Sequence, residues 1–206
     1  MRQEIVAAGF GGQGIILLGI TACMAVGLYD RKTVTQTQSY GPTSRGGACR
    51  TDVVISDEEI DYAKALSPDV MILMSEQAKD RYIGEVRPEE STVIVDSTLV
   101  RSVPPEIKKV YQVPATEIAE MKLGQRLAAN MVMLGATAAI TGLISFGALE
   151  SAVKDTAHGK YLEVNLKAIQ EGYQYGSQLS AGSNQASALG SRHRADPQVE
   201  RDGTIS

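Results

Sequence analysis

Glu4-Ile5-Val6-Ala7-Ala8-Gly9-Phe10-Gly11-Gly12-Gln13-Gly14, continued by the uncharged run Ile15 to Leu28, is the stretch on which the fold turns. An apolar run, a glycine cluster and a longer apolar segment, in that order, read as strand, tight turn and helix. Gly9, Gly11 and Gly14 fall at G-x-G-x-x-G spacing, which permits a tight turn, close approach of the backbone to a ligand or neighbour, and close packing of helix on strand. Two roles for the cluster stay open. Free N–H groups at the helix start hold an anion, or the glycines only let the helix pack against the sheet.

A dinucleotide site makes a further demand, an acidic residue roughly 20 positions on, at the end of the second strand. Asp30 has about that separation but sits in the polar turn Asp30-Arg31-Lys32, ahead of a strand over Thr33 to Gln38 that ends in Gln36, Thr37, Gln38 and Ser39. The fold signal survives and the NAD signal weakens.

The chain has 206 residues, enough for one domain with a substantial core. Its net charge of −4 lacks the concentrated basic patch that a nucleic-acid surface needs, so nucleic acid is not an expected partner. Two cysteines, Cys23 and Cys49, fall short of the ligand set of an iron-sulfur cluster or structural zinc and make no disulfide framework, which suits a reducing cytoplasm. The uncharged runs Ile5 to Tyr29 and Leu127 to Leu149 raise the question of a membrane. In the first, only Ile15 to Leu28 is continuous apolar helix, short for a bilayer, and Arg2 is offset by Glu4, against a signal peptide. The second carries Asn130, Thr137, Thr141 and Ser145 among small residues and reads as a buried or subunit-facing helix, not a membrane span.

Along the chain, Ser39-Tyr40-Gly41-Pro42-Thr43-Ser44-Arg45-Gly46-Gly47-Ala48-Cys49-Arg50 is a loop by composition. Arg45 beside Gly46 and Gly47 combines a guanidinium with exposed N–H groups and suits phosphate or carboxylate; a structural turn is the alternative. Thr51 to Ile55 reads as a strand, and Ser56 with Glu59 as a capping box opening a helix with Ile60, Tyr62, Ala63 and Leu66. Val70 to Met74 and Thr92 to Asp96 lack alternation and predict central strands of a parallel sheet, with a short helix from Ser75 and Glu76 to about Ile83 between them. Asp96 and Ser97 fall at the strand end where open α/β sheets place ligands, although an acid there also caps the next turn. Val110 to Val113 predicts another strand, and Arg126 to Thr141, Phe146 to Thr156 with a Ser145 cap, and Tyr161 to Tyr175 predict helices. The fold class is therefore α/β: a doubly wound, mostly parallel sheet with helices on both faces and a Rossmann-like first β-loop-α unit. The expected domain is 1–176, with 177–206, poor in large apolar side chains, a disordered tail. His158 and His193 have no visible catalytic partner, and no catalytic residue is assigned.

Taken together, Gly9 to Gly14 at the first turn, Ser39-Tyr40-Gly41-Pro42 and Arg45-Gly46-Gly47-Ala48-Cys49-Arg50 resemble the gamma subunit of 2-oxoacid:ferredoxin oxidoreductases, over Gln3 to about Tyr175, with Val113-Pro114-Ala115 and the Asn130 helix included. The spelling of the second loop is most similar to the 2-oxoglutarate branch; pyruvate, branched-chain and indolepyruvate enzymes share the module. The resemblance implies a subunit, inactive alone, of a complex that oxidatively decarboxylates a 2-oxoacid to its acyl-CoA and passes electrons to ferredoxin. Thiamine diphosphate, Mg and iron-sulfur clusters are implied in the alpha and beta or further subunits, and this chain packs on alpha beside the coenzyme A pocket. Gly9, Gly11, Gly12, Gln13, Gly14, Ser39, Tyr40, Gly41, Arg45, Gly46, Gly47 and Arg50 are the expected binding residues, with no metal ligand among them. Arg45 and Arg50 are inferred from charge and position to meet phosphate. The competing expectations are a stand-alone nucleotide-binding oxidoreductase using Gly9 to Gly14 and a membrane-associated structural protein.

Overall fold

In a computed structural model the described residues are 1–40 and 48–192, with side chains described through 182. The first strand β1 (Arg2–Phe10) leads through the glycine turn into α1 (Ile15–Met24), which closes in a π-helical turn over Ala25–Tyr29. Strands β2 (Thr33–Tyr40) and β3 (Ala48–Ser56) follow, then β4 (Val70–Leu73), α2 (Glu76–Tyr82), β5 (Thr92–Asp96), β6 (Lys109–Val113), α3 (Ala115–Met121), α4 (Ala129–Thr141), α5 (Phe146–Thr156) and α6 (Lys160–Arg192). The sheet has six strands in the order β2-β3-β1-β4-β5-β6. Parallel pairing joins β1 to β4, β4 to β5 and β5 to β6, whereas β3 runs antiparallel to both β1 and β2. The sheet is thus mostly parallel with one reversed strand.

That reversal removes the neighbour a dinucleotide fold requires. The strand after α1 lies on the sheet edge, one place away from β1, because β3 is inserted between them. A ribose ligand at the end of β2 would stand at the wrong distance from the glycine turn, whatever its charge.

Strand alternation divides the core between two faces. Ile5, Ala7, Ile72 and Ile94 face α1, α3, α4, α5 and α6, while Val6, Ala8, Met71, Leu73, Val93 and Val95 face α2 and the irregular segments. Both faces of the central strands are covered, which is why their sequences show no period of two. On the thicker side α4 and α6 approach backbone to backbone: a methyl at Gly135 would collide with the Ile169 carbonyl, and one at Gly172 with the Val132 carbonyl.

Three expectations need correction. Residues 57–69 form no helix. Ser56 Oγ accepts from Glu58 N at 3.0 Å, a local turn, and Tyr62 and Leu66 are 49% and 71% exposed, so the apolar residues that suggested an amphipathic face have no core to meet. The Ile15 to Leu28 run is not one α-helix; it widens into the π turn, where Asp30 N donates to Ala25 O at 3.0 Å, and the Asp30 carboxylate accepts from Ser145 N and Oγ at 2.9 and 2.6 Å. The third concerns the region after Gly176. Helix α6 continues to Arg192, and Leu179 packs against the core. Alanine and other adequate helix formers, together with that contact, extend the helix through a composition that reads as disordered. Residues 193–206 of the expected tail lie outside the described residues. No helix among the described residues is long and apolar enough to cross a membrane.

Candidate functional site

The glycine turn caps the C-terminal end of β1, at the crevice between β1 and β4 where the chain winds to opposite sides of the sheet. Gln13 fills that crevice. Its Oε1 accepts from Phe10 N at 2.8 Å and its Nε2 donates to Met74 O at 2.6 Å, tying the ends of the two strands together. Gly9 is small because a side chain there would strike Gln13 and Ile15. Gly14 has φ 74°, and a methyl on it would strike Asn130, whose Nδ2 donates to Gly14 O at 3.0 Å. Gly11 and Gly12 face open space, Gly12 with φ 104°. Gly9, Gly14 and Gln13 thus have packing partners, and Gly11 and Gly12 at the tip of the turn have open space beside them. Asn130, 3% exposed, is the residue that fixes this turn, and its distance in sequence from Gly14 hid that role.

Beside the turn, on the α1 side of the sheet, lies a cavity of about 310 Å³ lined by Gly12, Leu17, Gln125, Leu127, Tyr161 and Asn165 among others. Among the described residues its lining has no lysine, arginine, aspartate or glutamate and includes His158. The cavity ends in the exposed side chains of Leu127 and Tyr161, 61% and 47% exposed.

The charged cavity is on the other face of the sheet. Ser39 and Arg50 sit opposite each other in the β2–β3 pairing and both line a space of about 490 Å³. The Arg50 guanidinium is already committed: Nε donates to Asp52 Oδ1 at 2.6 Å, Nη2 to Asp52 Oδ2 at 3.3 Å, and Nη1 to Glu85 Oε2 at 2.6 Å, with Cζ 5.2 Å from the Tyr82 ring centroid. Burial would lower its pKa, but Asp52 and Glu85 outweigh that and raise it. Arg50 therefore holds β3 to the turn after α2, and the donors expected to meet phosphate face the carboxylates of Asp52 and Glu85 in this chain. Asp52, 5% exposed, would be left buried and unpaired without it, at a cost of about 3 to 5 kcal/mol. Lys64 and Arg81 line the same cavity, a contribution sequence reading missed because neither belongs to a motif.

Tyr40, at the end of β2, is 67% exposed. Gly41, Arg45, Gly46 and Gly47 lie outside the described residues. The glycine turn and the Ser39–Arg50 pair are thus separated by the sheet rather than joined in one pocket. Asp96, fully buried, accepts from Thr98 N at 3.1 Å and from Thr116 N and Oγ1 at 3.2 and 2.5 Å, so it anchors the start of α3. Among the described residues no group of three or more His, Cys, Asp or Glu could hold a metal ion. Cys23, half-buried on α1, and Cys49, buried in β3, are both thiols whose pKa burial pushes up, an environment unlike that of a metal thiolate.

A Rossmann-like α/β module whose β1–β4 crevice is filled by Gln13 and whose charged cavity lies on the opposite face lacks the arrangement of a dinucleotide-dependent dehydrogenase. The chain belongs to the pyruvate ferredoxin/flavodoxin oxidoreductase family, which it matches over residues 4–175. It is 46% identical over 180 residues to the 2-oxoglutarate synthase subunit KorC of Methanothermobacter marburgensis, covering 84% of this chain and 95% of that protein. The KorC subunit of Methanocaldococcus jannaschii is 42% identical over 181 residues, covering 87% of this chain and 96% of that protein. Among solved structures, the gamma subunit of the keto/oxoacid ferredoxin oxidoreductase of Geobacter sulfurreducens is similar with TM-score 0.78 and 36% identity, over 85% of this chain and 97% of the other. The chain is thus homologous to subunits of oxoacid:ferredoxin oxidoreductases, in line with the resemblance in its two loops and against the stand-alone nucleotide-binding alternative.

Proposed function

We propose that the chain is the gamma subunit of a cytoplasmic complex that converts 2-oxoglutarate and coenzyme A to succinyl-CoA and carbon dioxide, with two electrons passed to ferredoxin. The observation that carries the substrate is identity of 42 to 46% to 2-oxoglutarate synthase subunits over nearly their whole length. Alpha and beta subunits are the proposed partners. Thiamine diphosphate, Mg and iron-sulfur clusters are proposed to reside in those partners; the two cysteines of this chain are too few to ligate a cluster. Exposed apolar side chains at Leu28, Met121, Leu127 and Tyr161 support burial of this chain against a partner.

Within the complex, the open tip Gly11-Gly12 and the loop with Gly41, Arg45, Gly46 and Gly47 are proposed to complete the coenzyme A pocket, while Ser39 and Tyr40 lead into that loop. A guanidinium beside two glycines binds an oxyanion through paired hydrogen bonds that an ammonium does not reproduce. Purifying the complex through a tag on this chain, identifying its subunits and assaying viologen reduction with a panel of 2-oxoacids tests the reading. Recovery without thiamine-dependent subunits, or equal rates with pyruvate, would overturn it. In that complex Arg45→Lys and Arg45→Ala are both expected to raise the coenzyme A KM by about tenfold if a charge-assisted contact is lost. Unchanged KM confines Arg45 to a structural part.

A further inference from the structure

Residues 58–67 join β3 to β4 as an irregular segment on the α2 face, and of these only Ala65 is buried, so apolar burial does little to keep the segment in place. Three ion pairs hold it instead. Arg2 and Glu4 of β1 are paired at 2.8 Å; Arg2 Nη2 donates to Tyr62 O and Lys64 O at 3.0 and 3.2 Å, and Glu4 Oε2 accepts from Leu66 N and Ser67 N at 2.8 and 2.9 Å. Arg50 and Asp52 of β3 are paired at 2.6 Å, and Asp52 Oδ2 accepts from Ala65 N at 3.2 Å. Arg87 and Asp69 are paired at 2.6 Å, and Arg87 Nη1 donates to Ser67 O and Oγ at 2.5 and 2.7 Å. All six charged residues lie outside the segment, and each pair stays bonded when the segment leaves. Lifting it therefore strands no buried charge, the usual obstacle to breaking an ionic contact. Both ends are fixed: Asp57 N donates to Met1 O at 3.2 Å, and at the other end Asp69 N donates to Glu4 O at 2.9 Å and Ser91 Oγ to Pro68 O at 2.6 Å. Between these anchors Tyr62, Lys64, Ala65 and Leu66 form one wall of the cavity of about 490 Å³, and movement of the segment opens that wall.

We propose that residues 58–67 are an ionically latched strap beside this cavity, which opens as one unit while the sheet stays folded and so sets access to the α2 face. The strap does not depend on which reaction the complex performs or on which substrate it takes. Its latch is the set of three ion pairs, and its hinges are the fixed backbone at Asp57 and at Pro68 and Asp69.

Amide hydrogen exchange of the full chain at fixed pH, over a series of urea concentrations too low to unfold it, tests the strap. Ala65, Leu66 and Ser67 are expected to share one opening constant, at least about a hundredfold larger than that of Ile72 in β4 and Ile94 in β5, and nearly independent of urea because little surface is exposed. Arg87→Gln and Arg2→Gln then probe the two ends of the latch. Arg87 touches the segment at Ser67, and Arg2 touches it at Tyr62 and Lys64. Each variant should raise the opening constant of all three amides by one common factor of about tenfold, including that of Ala65 N, which is held by Asp52 and by neither arginine. Trypsin should cut after Lys64 faster by the same factor, since cleavage follows the open population. Acceleration confined to Ser67 in Arg87→Gln would make the contacts independent of one another and overturn the strap, as would tryptic cleavage after Lys64 that neither variant changes. The wild type alone supplies a further refutation: exchange of Ala65, Leu66 and Ser67 that matches Ile72 and Ile94 in rate and in urea dependence would mean that the segment opens only with the whole fold.

Discussion

A single methyl group separates the two kinds of glycine in the first turn. Gly14 adopts φ 74° against Asn130, whereas Gly11 has a negative φ and open space around its Cα. Gly14→Ala is expected to destabilise the chain by about 2 kcal/mol or more, from left-handed strain and the collision with Asn130, and Gly11→Ala by less than about 0.5 kcal/mol; urea denaturation measures both. Equal losses would mean that the turn is uniformly strained. Glu4 makes the second residue-scale prediction. Burial would raise its pKa, but N–H groups of Ser67 and Leu66 at 2.9 and 2.8 Å and the Arg2 guanidinium at 2.8 Å outweigh burial and lower it. A carboxyl depressed in the folded state contributes stability that is complete above its unfolded value and is lost as pH falls through the folded one. Wild-type stability should therefore fall more steeply than that of Glu4→Gln between about pH 5 and pH 3, and parallel curves would show that Glu4 has no part in acid sensitivity.

At the scale of elements, the contact between α4 and α6 depends on the absence of two side chains. Gly172→Ala must push its Cβ into the Val132 carbonyl and separate the helices. Overpacking of this kind costs about 1 to 3 kcal/mol, more than the helix propensity that alanine gains, so a higher melting temperature for this variant would refute the packing. Which elements could be read from sequence follows from how local their causes are. The strands β1, β4 and β5 carry uninterrupted apolar stretches, Ile5 to Ala8, Val70 to Leu73 and Val93 to Val95, and the Ser75 and Ser145 hydroxyls cap α2 and α5 by accepting from Ala78 N and Ala148 N at 3.2 Å each. The direction of β3 was not legible, because Val53, Val54 and Ile55 favour a strand of either sense. The segment after Ser56 mimics a capping box, yet its backbone is held from afar: Glu4 takes the N–H groups of Leu66 and Ser67, and Asp52 takes that of Ala65 at 3.2 Å. In the candidate site, likewise, the glycines were legible, and the partners that decide their roles, Asn130 for Gly14 and Asp52 and Glu85 for Arg50, were set by the fold.

For the whole molecule, the two faces of the sheet divide the work. The α2 face carries the charged cavity, and the opposite side, where the glycine turn meets α1 and α6, presents a groove lined in part by His158 and rimmed by Leu127 and Tyr161. Neither of these side chains supports the core: Leu127 stands on the helical turn Arg126–Ala128, and Tyr161 lies at the start of α6 with its exposed edge outward. A free-standing enzyme gains nothing from leaving them in water, whereas a subunit recovers about 25 cal/mol for each Å² of apolar surface that a partner covers. Leu127→Asp and Tyr161→Asp are therefore expected to leave melting of the isolated chain within about 0.5 kcal/mol of wild type while lowering the recovery of partner subunits through a tag on this chain at least tenfold, since a carboxylate buried at an interface without a cation opposes association by more than about 1.4 kcal/mol. Subunit recovery equal to wild type in both variants would move the interface off this groove and onto the α2 face, where it would cover the cavity walled by Lys64 and Arg81.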